Sequence, residues 1–74
     1  MKTAQQIYSA AIKGAPRSPE WKHGTMAGLK RCESPHVSQC SPYQPGTAQD
    51  DAWAAGMQYG IQLWQWNQGE GAPA

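Results

Sequence analysis

Two glycine pairs constrain this chain more than any other feature. Gly24 and Gly28 lie four residues apart, and Gly56 and Gly60 repeat the spacing. Both pairs fall inside stretches that read as helix. Glycine in a helix interior costs roughly 1 kcal/mol against alanine. Four such glycines imply a use in packing, because a backbone without a Cβ lets a second helix approach closely. The economical arrangement is an antiparallel pair of helices, with glycine faces opposed and tryptophans on the flanks.

The first of the pair is expected over residues 18–31. Ser18 suits the N-cap, Pro19 the first helical position, and Glu20 the positive end of the helix dipole. Trp21, Gly24, Thr25, Gly28 and Leu29 fall along one side, and Lys30 and Arg31 occupy the last turn. The second is expected over residues 47–68. Thr47-Ala48-Gln49-Asp50 resembles a capping box with Asp50 in the glutamate position, and Gly69 is the stop. Trp53, Met57, Ile61 and Trp64 form one apolar stripe, and Ala52, Tyr59, Leu63 and Trp66 form another. Only Gln58, Gln62 and Gln65 mark a clearly polar face, so this helix requires cover on more than one side.

A shorter N-terminal helix is expected over residues 3–13. Thr3 can cap it, Ala4, Ile7, Tyr8, Ala11 and Ile12 make one stripe, and Gly14-Ala15-Pro16 ends it. Residues 32–46 contain Pro35, Pro42 and Pro45 and read as an irregular loop. The expected fold is all-α: a single helical domain over residues 1–68, followed by a disordered tail at 69–74.

A chain of 74 residues buries little core and needs a brace. Four tryptophans and three tyrosines supply much apolar area per residue. No apolar run approaches the roughly 20 residues of a membrane span. The N-terminal stretch lacks the apolar centre of a secretory signal, so a cytoplasmic location and no membrane partner are expected.

The net charge of +1 conceals a division. All six Lys and Arg residues precede Cys32, and four of the five acids follow it. Such polarity suits contact with nucleic acid or an acidic protein; it equally suits attraction between the two halves within the fold.

Three constellations carry chemistry. His23, Cys32, His36 and Cys40 are zinc-type ligands at workable spacing, though the spacing matches no common finger. A Cys32–Cys40 disulfide and two ordinary thiols are the other readings of the same cysteines. Zinc is the one cofactor to consider. Catalysis has no anchor: no phosphate-binding glycine loop is present, Asp50 and Asp51 are explained by capping, and no Ser-His-Asp arrangement is indicated. The third constellation is a basic edge of Lys22, His23, Lys30 and Arg31, with Trp21 and Tyr43 as platforms on which unpaired bases could stack.

One further pattern spans roughly residues 21–60. The order Gly24…Ala27-Gly28, then Cys40-Ser41-Pro42-Tyr43, then Ala52-Trp53-Ala54-Ala55-Gly56 resembles ribosome modulation factor and its relatives in plasmids and phages. That family has a Cys-Pro-Tyr turn, into which Ser41 is inserted here. The loop before it is longer here, and the helix at 3–13 stands where the ribosome factor has a strongly basic N-terminus. The resemblance implies a small, non-enzymatic helical protein that binds the ribosome near its rRNA and modulates translation. It marks Gly28, Cys40, Pro42, Tyr43, Trp53 and Gly56 as the shared, mainly structural positions. Lys22, Lys30, Arg31 and Tyr43 would then meet RNA. The alternative is a protein of the mobile-element type that binds and inhibits a host protein. It would use the apolar third helix, with Trp64 and Trp66 near its end, and the same surface would serve a homodimer.

Overall fold

The computed structural model describes residues 3–68, and the expected tail lies outside them. Three helices are present: α1 (Ala4–Ala11), α2 (Pro19–Glu33) and α3 (Ala48–Asn67), with no strand among the described residues. The all-α class is therefore as the sequence implies.

The three helix starts follow the local chemistry. Thr3 caps α1 as a full capping box, its hydroxyl accepting from the Gln6 amide while the Gln6 side chain accepts from the Thr3 amide. Ser18 caps α2 by accepting from the Trp21 amide, with Pro19 as the first helical residue. Thr47 caps α3 by accepting from the Asp50 amide. Only half of the expected box forms there, because the Thr47 amide donates to the Gln44 carbonyl at 3.3 Å. That bond closes a turn with Pro45 and Gly46 at its centre. Gly46 has φ 83°, the left-handed conformation that the third residue of a type II turn needs.

The ends depart more. α1 stops at Ala11, two residues early, and Gly14 is not its left-handed cap, since Gly46 alone among the described residues has positive φ. Instead the amides of Ile12 and Lys13 both donate to the Tyr8 carbonyl, at 2.8 and 3.0 Å. α2 continues through Glu33, two residues past Arg31.

The glycines do what their spacing suggests. A Cβ on Gly24 would collide with the Trp53 backbone, and one on Gly28 with the Met57 backbone. Reciprocally, a Cβ on Gly56 would strike the Trp21 carbonyl and one on Gly60 the Thr25 carbonyl. The hydrogens that stand in place of these Cβ atoms face carbonyl oxygens of the opposite helix, which is the geometry of Cα–H···O contacts. Thr25, fully buried in the seam, turns its hydroxyl back to the Trp21 carbonyl at 3.0 Å and so leaves no donor unpaired.

The direction of the pair differs from expectation. Trp21 and Gly24 meet Gly56 and Trp53, whereas Thr25 and Gly28 meet Gly60, Met57 and Ile61. Position advances together along both helices, so α2 and α3 run parallel. Ser18 and Glu20 accordingly border the same hollow as Ala48 and Gln49, placing the two helix starts at one end. The loop over residues 34–47 makes this possible by returning along the pair: Tyr43 lies 6.4 Å, ring to ring, from His23 near the start of α2.

α1 packs antiparallel to α2. The Ala4 amide at its start donates to the carboxylate of Glu33 at 2.8 Å, and the Lys13 carbonyl beyond its end accepts from the Lys22 ammonium at 3.0 Å. An anion thus sits at the positive end of the α1 dipole and a cation at the negative end. Ala4 and Ile7 on α1 and Ile12 just past its end are buried and complete a core with Trp21, Leu29 and Leu63.

Candidate interaction surface

Trp53 is buried, and the exposed His23 packs edge-to-face with it at 6.4 Å, as it does with Tyr43 at the same separation. Gly28 and Gly56 lie in the α2–α3 seam, and Tyr43 is half-buried against His23. Pro42 and Cys40 are exposed in the loop, and Ser41 turns its hydroxyl to accept from the Tyr43 amide at 3.2 Å. Ser41 therefore closes the local turn. Tyr43 and Trp53 thus meet at His23, and Gly28 and Gly56 lie in the seam.

The candidate zinc set does not come together. Among the described residues no group of three or more His, Cys, Asp or Glu side chains could hold a metal ion. His23 and Cys32 stand nine residues apart on one helix, about 13 Å at 1.5 Å per residue. The His23 ring is turned to Tyr43 and Trp53, while His36 and Cys40 are exposed on the loop. Cys32 and Cys40 are both free thiols, so the disulfide does not form either. Partial burial pushes the Cys32 thiol above its ordinary value, and the neighbouring Arg31 charge opposes that shift.

The basic edge divides into two parts. Lys30 and Arg31 are exposed in the last turn of α2. Lys22 is half-buried and already holds the end of α1, so part of its bonding capacity serves the fold. Near it the structure adds Arg17, which the sequence reading left out of the basic edge. Its guanidinium carbon lies 4.4 Å above the centroid of the Trp21 ring. The recurrence of Lys13, Arg17 and Lys22 around a predicted helix–turn–helix corner was the available signal.

Trp64 and Trp66 are half-buried and pack against the core rather than forming an open patch. Trp66 meets Tyr59 edge-on at 6.2 Å, and Tyr59 meets Trp21 at 5.2 Å. Among the described residues the exposed large apolar side chain is Val37, on the loop. Its own chain covers part of the third helix, burying Trp53 and Leu63, while Met57, Ile61, Trp64 and Trp66 are half-buried. Within the described residues no helix is long and apolar enough to cross a membrane.

Comparison with family models, with curated proteins and with solved structures finds no match to this chain.

Proposed function

We propose that this chain is a small cytoplasmic, non-enzymatic regulator that associates with RNA, its target being the ribosome as in ribosome modulation factor. The observation that carries the reading is the exposed basic segment between α1 and the end of α2. Lys13, Arg17, Lys30 and Arg31 all reach solvent there, while Asp50 and Asp51 lie in the first turn of α3. Exposed cations are the groups that neutralise phosphates. The Cys40-Ser41-Pro42-Tyr43 and Trp53…Gly56 pattern adds support, with Tyr43 and Trp53 both packed on His23.

Binding by the apolar third helix to a host protein, or to a second copy, has less behind it, because Trp64 and Trp66 are occupied by core packing. Sucrose-gradient sedimentation of cell extract tests the leading reading. The expected result is migration with ribosomal particles at low salt and release at high salt. A chain that stays at the top of the gradient at low salt contradicts it.

A further inference from the structure

We infer that the groove between α1 and α2 is a seat for single-stranded RNA, with one nucleotide unit held between a cationic rim and an apolar wall. The inference rests on the RNA-associated reading above and names its contact surface. The groove is about 440 Å³, within the range of small-ligand sites, and is bordered by Gln5, Tyr8, Arg17, Lys22, His23 and Met26. No carboxylate lines it. The charge is therefore of one sign, and its complement is an anion.

The donors are arranged for a phosphate. Arg17 is exposed at the border of the groove, and its stacking on Trp21 restrains the side chain. Lys22 gives one N–H to the Lys13 carbonyl and keeps two, so its ammonium is anchored without being used up. His23 is exposed and also borders the groove, while its ring packs edgewise on Tyr43 and Trp53. The rest of the lining has a different chemistry. Tyr8 and Met26 are half-buried and supply a ring and a thioether, the flat and polarizable surfaces on which a nucleobase packs. Cations beside an aromatic face fit a phosphate joined to a base better than they fit an acidic peptide, whose carboxylates bring no flat ring. The Lys30–Arg31 end of α2 offers charge but no such wall: beside Arg31 lie Pro35, Val37, Ser38 and Cys40.

The test is fluorescence anisotropy with a labelled oligouridylate of about ten nucleotides, read over a range of salt. Arg17→Gln removes a rim cation, and Gln5→Glu places a carboxylate in the groove at an exposed position in the first turn of α1, where the helix dipole tolerates it. Each is expected to weaken binding about tenfold, and Arg17→Gln to flatten the salt slope by about 0.7. Arg31→Gln, an equal change in charge, is expected to cost less than about twofold. Should Arg17→Gln fold poorly, Gln5→Glu alone carries the comparison. An Arg31→Gln loss as large as the other two overturns the inference. So does displacement of the oligonucleotide by poly-glutamate as readily as by unlabelled RNA, or a wild-type chain that binds no oligonucleotide. Gradient sedimentation separates this inference from its premise. If the wild type and both groove variants sediment with ribosomes alike, the groove assignment fails while the ribosome reading stands. If the wild type stays at the top but binds the oligonucleotide through the groove, the ribosome reading fails alone.

Discussion

The two seams of this protein hold by opposite means. Between α2 and α3 backbone lies on backbone: the glycine positions have no spare volume, and carbonyl oxygens fill the places where side chains would begin. Between α1 and the pair, side chains do the work. Ile7 and Ile12 are each 2% exposed, and two charged groups grip the helix ends. The first seam fails when an atom is added and the second when atoms are removed. A chain of this size thus stabilises itself by close approach in one place and by a small apolar plug in another, with neither a disulfide nor a gathered metal-ligand set among the described residues.

The largest effect is expected from Gly24→Ala or Gly60→Ala. Alanine is the better helix former, yet its methyl would meet a carbonyl that no rotamer change can move aside. The helices must separate along their length, at a cost of about 3 kcal/mol or more. Urea unfolding at constant temperature measures it. Next comes Ile7→Ala, which leaves a cavity where α1 enters the core and is expected to cost about 2–4 kcal/mol in the same titration. Smallest is Gly14→Ala. Nothing lies within 4 Å of a Cβ there and the backbone is not left-handed, so stability should change by less than about 0.5 kcal/mol. A gain in stability for Gly24→Ala, as helix propensity alone predicts, would mean that the seam leaves room for a Cβ.

Much of the frame is legible in the sequence because capping and close approach are local or pairwise rules. Thr3, Ser18 and Thr47 cap as their side chains dictate, and the four glycines oppose each other as their spacing implies. Direction is not legible. A four-residue glycine spacing reads the same both ways along a helix, so it cannot distinguish parallel from antiparallel. The loop decides, and its 14 residues at up to about 3.3 Å each can return past the roughly 22 Å of α2. Lys22 carries a similar lesson at the candidate site. Its charge is plain in the sequence, but the carbonyl it holds belongs to Lys13, and only the antiparallel seating of α1 brings the two together. Arg17 is hidden for the same reason, since its stacking on Trp21 arises from the corner between α1 and α2. The zinc set looked workable as spacing alone; the helical rise separates two of its members and the loop carries the others elsewhere.

The parallel seam is the central structural claim, since it sets which residues of α3 and the loop stand beside the start of α2. It is tested most directly by a distance. Spin labels at Glu20→Cys and Gln49→Cys, in a chain with Cys32→Ser and Cys40→Ser, report the separation of the two helix starts. Both positions border one hollow, so the expected separation is short, while a label pair at Glu20 and Asn67 should be longer by most of the roughly 30 Å length of α3. The reverse order, with Glu20 nearer Asn67 than Gln49, would contradict the parallel arrangement.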